Sequence, residues 1–173
     1  DKMKQLVWFW MALCENNTRL ADEVESLREQ YIIRSGETVT GCSKESFRQY
    51  RQDLMTDTFM FSYERAAKYY AINRASFSGG WSERASYARF TDSSVQRLRD
   101  FKRKNFRVDY ADFGDAIEYH PRAFLYLDPP YMLEGSQNSL YGVDGNLHNS
   151  FDHERLHSLL TNRGQWLMSY NDC

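Results

Sequence analysis

The sequence predicts an α/β fold, and three observations carry that expectation. A short apolar run, Ala123 to Leu127, stops abruptly at Asp128-Pro129-Pro130. Two further strand-like segments, Phe106-Arg107-Val108 and Gln165 to Tyr170, also finish on acidic or amide residues. Helical patterns lie between these segments. The Ala123–Leu127 run has the length of a buried strand, and consecutive prolines cannot continue a sheet ladder. The chain must leave the sheet at Asp128. Parallel strands joined by helices gather their carboxyl ends on one edge, where open α/β sheets place their ligands.

Composition limits the remaining possibilities. The 173 residues suffice for one domain, or for a core with an insertion. Hydrophobic residues make up 42% and charged residues 27%, with a net charge of −2 and an unusually aromatic makeup of 12 Tyr and 11 Phe. This is a globular composition with no overall bias toward a polyanion, so any nucleic-acid surface is local. Cys14, Cys42 and Cys173 lack metal or redox spacing, which suits a reducing, cytoplasmic setting. The apolar run Leu6–Cys14 is too short to span a bilayer, so no membrane partner is expected. The four histidines (His120, His148, His153, His157) show no ligand spacing, and no metal is expected.

Taken in order, residues 2–31 read as helix. Leu6, Phe9, Trp10 and Leu13 form an apolar stripe that Leu20, Val24, Leu27 and Tyr31 continue, with a break or bend at Asn16-Asn17. Residues 34–42, with Gly36 and Gly41, read as a loop. Ser43 then caps a polar helix running to Met55, whose charges (Lys44, Glu45, Arg48, Arg51, Asp53) form a solvated face. Ser62 starts a second capped helix that runs through Tyr69, Tyr70 and Ile72 to Asn73-Arg74, with Gly79-Gly80 as its stop. Residues 78–93 interleave Arg84 and Arg89 with Trp81, Tyr87 and Phe90. That pattern suits phosphate contact and base stacking, and equally an ordinary irregular surface loop. Thr91 or Asp92 caps a helix that ends in the basic cluster Lys102-Arg103-Lys104, with Arg97, Arg99 and Arg107 nearby and only Asp100 opposing.

The second half changes texture. The strand at 106–110 enters Asp112-Phe113 and a short helix to about Glu118, and Ala123–Leu127 follows. Residues 132–149 form a long Gly- and Asn-containing loop, longer than most connections, which suggests a lid. Asp152 caps a helix carrying Leu156, Leu159 and Leu160, and Gln165–Tyr170 is the last strand. Asp112-Phe113 reads as readily as an N-cap followed by a core aromatic as it does as a ligand site.

At the turn itself, Asp128-Pro129-Pro130-Tyr131 is rigid, acidic at one end and aromatic at the other. Two fixed φ angles and two missing N–H groups leave stiff, free carbonyls. The combination suits holding a flat, amine-bearing group; the plainer reading is a strand end with Tyr131 packed outside it. Its neighbours decide the emphasis. Asp128-Pro129-Pro130-Tyr131 after an apolar strand resembles the catalytic motif of amino-group methyltransferases. Arg65-Ala66-Ala67, Asn73-Arg74 with Phe77 and Gly79, Asp112-Phe113, Phe151-Asp152-His153-Glu154 and Leu167–Asp172 follow in the order found in the Dam-like, D12-class adenine-N6-specific DNA methyltransferases.

The resemblance covers residues 60–173 well and implies a partial Rossmann-like sheet, dependent on S-adenosylmethionine, with a mostly helical target-recognition insertion. It divides the chain into a helical part at 1–59, a target-recognition region at 60–105 and a catalytic α/β portion at 106–173. It implies that Asp128, Pro129, Pro130 and Tyr131 are catalytic and that Asp112, Phe113 and Asp128 serve the cofactor. DNA contact falls to Asn73, Arg74, Arg84, Arg89, Lys102, Arg103 and Lys104, mainly at phosphates of double-stranded DNA. Adenine N6 is a poor nucleophile because its lone pair is delocalised. Acceptors at its hydrogens, the Asp128 carboxylate and the Pro129 carbonyl, would draw it toward tetrahedral geometry while Tyr131 stacks on the flipped base.

Departures from the family pattern matter too. Nothing in residues 1–60 resembles the family's Phe-x-Gly-x-Gly cofactor loop. The expectation is an incomplete stretch of a larger enzyme, monomeric, that alone binds the methyl donor poorly. An RNA exocyclic-amine methyltransferase and a non-catalytic DNA-binding remnant are the alternatives.

Overall fold

The computed structural model of the chain describes residues 1–56, 60–76, 89–103, 105–131 and 151–170. These fall into two compact units, Met3–Asp109 and Tyr110–Cys173, the second including Asp1–Lys2.

In the Met3–Asp109 unit, helix α1 (Lys4–Ser26) buries Val7, Trp8, Ala12, Leu13, Leu20, Ala21 and Val24. It is interrupted at Asn16, where φ is −153° and ψ is 89°. The Asn16 side chain accepts from the Arg19 N–H at 2.9 Å, so it caps the second half of the helix that it breaks. The anticipated bend is therefore present. The helix nevertheless stops at Ser26, five residues before the sequence pattern does. Tyr31 lies instead in strand β1 (Glu29–Ile32), which pairs antiparallel with β2 (Thr38–Gly41), so residues 34–42 are not all loop. Gly36, at φ +86°, makes the turn between them, and the alternating Thr38-Val39-Thr40 supplies the partner. Helical periodicity gave way because the hairpin satisfies the same backbone groups.

Ser43 caps α2 (Lys44–Met55) by accepting from the Ser46 N–H, as expected. The carboxylate of Glu29 accepts from the Ser43 N–H at 3.0 Å, so β1 also holds this helix start. Burial pushes the Glu29 carboxyl up, but the hydrogen bonds from Ser43 and Ser46 outweigh it and leave its pKa below the ordinary value. The α2 charges do not all face solvent, because Asp53 bonds to Lys68 at 2.7 Å. Helix α3 (Tyr63–Ala75) starts at the Ser62 cap and is buried over Ala66, Ala67, Ala71, Ile72 and Ala75. The alanines among them let α1 lie close against it. The Phe9 ring stacks on Tyr70 with centroids 5.4 Å apart, and the Tyr70 hydroxyl donates to the Ser94 carbonyl in α4 (Asp92–Arg99).

Three expectations in this unit are corrected. Phe90 is fully buried, so it is a core ring and not a stacking platform. Helix α4 ends at Arg99, and Lys102-Arg103 follow it as exposed residues beyond the helix end. Residues 106–110 form no strand: the Phe106 ring is taken edge-on by Trp10 at 5.5 Å and by Phe101 at 6.2 Å. Gly79-Gly80 lie outside the described residues.

In the Tyr110–Cys173 unit, β3 (Leu125–Leu127) and β4 (Trp166–Met168) run parallel, with Leu127 opposite Met168. Helices α5 (Phe113–Tyr119) and α6 (His153–Leu160) cover one face, burying Ile117, Leu156 and Leu160 against Leu125, Leu127 and Met168. Arg163 donates to the carbonyls of Ile117, His120 and Ala123, closing the end of α5 onto the start of β3. Phe124, Tyr126 and Leu167 are exposed. No helix among the described residues is long and apolar enough to cross a membrane.

Candidate active site at the ends of two parallel strands

Register builds the site. Because Leu127 and Met168 are paired, the residues that follow them emerge side by side, and these are Asp128 and Ser169. The Ser169 N–H donates to the Leu127 carbonyl at 3.0 Å, extending the ladder by one bond. The Ser169 hydroxyl then reaches Asp128 Oδ1 at 2.6 Å. The Tyr131 hydroxyl lies 3.4 Å from that same oxygen. Asp128 itself is exposed and Pro129 buried, so the turn is anchored by its first proline and presents its carboxylate outward.

An aromatic series leads away from this carboxylate. The rings of Tyr131 and Tyr170 are 5.8 Å apart, and the Tyr170 hydroxyl is 2.8 Å from His153 Nδ1 at the start of α6. His153 meets Phe151 edge-on at 4.8 Å, and Phe151 lies against Phe113 at 4.9 Å. The series thus joins the Asp-Pro-Pro-Tyr turn to the Asp112-Phe113 pair.

Asp112 has the capping role, the plainer of the two readings that the sequence allows. Its side chain caps α5 by accepting from the Gly114 N–H at 2.8 Å. The same carboxylate meets Lys2 at 2.6 Å and Arg155 at 2.9 Å. The Lys2 ammonium, helped by the Gly114 N–H and by Arg155, holds the Asp112 carboxyl below its ordinary range despite partial burial. The Arg155 guanidinium also lies over the Phe113 ring, 5.1 Å from its centroid. Gly114 makes that approach possible, since a Cβ there would sit 2.1 Å from Arg155 Nη2.

Sequence reasoning gave no role to Ser169, Tyr170, His153, Phe151 or Arg155. The contact of Ser169 with Asp128 depends on the pairing of Leu127 with Met168, which no local pattern in the sequence states.

The family model for D12 class N6 adenine-specific DNA methyltransferases matches residues 1–173. The chain belongs to that family. It is thereby a member of an α/β enzyme class that carries out adenine methylation on DNA, for which S-adenosylmethionine is the implied methyl donor. No curated protein matches the chain. Among the described residues, no group of three or more His, Cys, Asp and Glu side chains could hold a metal.

The residues read as DNA contacts all lie in the Met3–Asp109 unit. Arg89, Lys102 and Arg103 are exposed, and Asn73 is half-buried near the end of α3. Arg74 Nε donates to the Arg89 carbonyl at 3.0 Å, which gives it a local structural bond. The basic cluster is better opposed than the sequence suggests, because Arg99 pairs with Asp22 at 2.6 Å and Arg107 with Asp109 at 2.7 Å. Arg84, Lys104 and the expected lid at 132–149 lie outside the described residues.

Proposed function

We propose that this chain methylates N6 of an adenine turned out of double-stranded DNA. Asp128 and the Pro129 carbonyl accept from the amino group, Pro130 stiffens the turn, and Tyr131 lies against the base. The observation that supports this most directly is the exposed Asp128 carboxylate at the carboxyl end of β3, steadied by the Ser169 hydroxyl at 2.6 Å. A carboxylate held there withdraws the amine's lone pair from conjugation without itself forming a covalent bond. Extrusion of the base costs a few kcal/mol, and base–aromatic contact with Tyr131 returns roughly 1–3 kcal/mol.

Asp112 and Phe113 are the residues that would hold the adenine end of S-adenosylmethionine. The Arg155 guanidinium supports that fit: it is a flat N–H donor that already bonds to Asp112 and lies over Phe113, the two interactions an adenine amine and ring would make. When bound, the donor supplies a methyl group already activated on a sulfonium. The protein's own part is to position the amine, exclude water with aromatic surface and accept hydrogen bonds at Asp128. A Rossmann-like sheet beyond β3 and β4 belongs to the same reading. Asn73, Arg74, Arg84, Arg89, Lys102, Arg103 and Lys104 are the proposed DNA contacts, acting mainly on phosphates.

The test is methyl incorporation into double-stranded DNA by the full-length protein and by Asp128→Ala. Loss of an acceptor at the reacting amine is expected to lower turnover by about 100-fold or more while DNA binding persists. Undiminished turnover in Asp128→Ala would remove the turn from the chemistry. Preferential incorporation into structured RNA would instead point to an RNA substrate.

A further inference from the structure

We infer that Ser169 is a positioning residue for the reaction, fixing the rotation of the Asp128 carboxylate and dedicating its two oxygens to different partners. The inference rests on Asp128 being the acceptor for the target amine.

Ser169 has one hydroxyl proton and two acceptors within reach, Asp128 Oδ1 at 2.6 Å and the Leu127 carbonyl at 3.5 Å. The shorter contact to the charged oxygen takes the proton, since charge-assisted hydrogen bonds are shorter and about twice as strong. The donor cannot drift. Its backbone N–H is tied to the Leu127 carbonyl at 3.0 Å, so sheet register sets where the hydroxyl stands. The Tyr131 hydroxyl approaches Oδ1 too, at 3.4 Å. Both hydroxyls thus converge on one oxygen, and Oδ2 of this exposed carboxylate has no partner among the described residues. Oδ2 is the oxygen left to accept from the amine.

The consequence for the chemistry is positional. A carboxylate held through Oδ1 has fewer orientations open to it, so the amine meets an acceptor already in place and loses less entropy in the reacting geometry.

Steady-state methylation by the full-length protein decides the matter. Ser169→Ala is expected to lower kcat about tenfold with little change in KM for DNA, and Ser169→Thr to recover most of it. A loss in Ser169→Ala confined to KM, or no recovery in Ser169→Thr, overturns the inference. An unchanged kcat in Ser169→Ala overturns the inference while the underlying reading stands; that reading fails separately if Asp128→Ala keeps wild-type turnover.

Discussion

Asn17 Nδ2 lies 2.7 Å from the carbonyl oxygen of Arg99 and 2.9 Å from that of Leu98, so a residue at the bend of α1 supplies donors to the last turn of α4. Helix carboxyl ends leave carbonyls without intrahelical partners, and α4, only eight residues long, depends on an outside donor to complete its end. Replacing Asn17 by Leu is expected to destabilise the Met3–Asp109 unit by about 1–3 kcal/mol, because buried acceptors lose their donors. Asn17→Asp should be at least as damaging, since it removes the donor and adds negative charge at a helix C-terminus. Denaturant midpoints for the two variants test this, and a midpoint within error of wild type for Asn17→Asp would show that water replaces the amide.

How far the sequence discloses this structure depends on how local the deciding interaction is. Ser43, Ser62 and Asp152 each announce a helix start because an N-cap bonds within three residues of itself. The Leu125–Leu127 strand is legible because Asp128-Pro129-Pro130 must end it. The β1–β2 hairpin is hidden because Leu20, Val24, Leu27 and Tyr31 keep a helical period through it, and only pairing with Thr38–Gly41 overrides that period. Phe106-Arg107-Val108 reads as strand until Trp10, far away in sequence, claims the Phe106 ring. At the site, Asp128 and Tyr131 are legible as chemistry. The Ser169 hydroxyl on Asp128 is not, because it exists only through the register of two strands 41 residues apart.

Acid should weaken the Tyr110–Cys173 unit through Asp112. Its pKa is depressed in the folded state, so its contribution is complete above the ordinary value of 3.8 and is lost as pH falls through the lower folded value. Asp112→Asn isolates the charge, because asparagine also caps helices. The variant is expected to be less stable by about 1 kcal/mol at neutral pH, given that Lys2 and Arg155 are half-exposed. That difference should vanish well below pH 3.8. Stability curves collected from pH 7 to pH 2 check it, and a gap that stays constant into acid would assign the effect to the cap instead of the ion pairs.

Gly114 and Arg155 should couple. A Cβ at residue 114 must displace the Arg155 guanidinium, the movable end of a long side chain, so Gly114→Ala should fold while breaking the Arg155–Asp112 pair. In an Arg155→Ala background the same substitution meets only Asp112 Oδ1, at 3.1 Å, and keeps most of its helix-propensity gain, roughly 0.5–1 kcal/mol. In the wild-type background, loss of the ion pair offsets most of that gain. A double-mutant cycle by chemical denaturation measures the difference, and additive effects would mean that the guanidinium adjusts without leaving Asp112.

Lys102 and Arg103 should set part of the salt dependence of DNA binding. Both are exposed beyond the end of α4, whereas Arg99 and Arg107 already answer to Asp22 and Asp109. A cation that neutralises a phosphate releases counterions, and each such contact contributes about 0.9 to the slope of log K against log salt. Replacing Lys102 and Arg103 together with Ala should flatten that slope by about 1–2 and weaken binding similarly for every DNA sequence. Arg99→Ala, which releases Asp22, should leave the slope almost unchanged. Fluorescence anisotropy across a salt series separates the two outcomes, and an equal slope for the Lys102/Arg103 double variant and the wild type would place this segment outside the DNA interface.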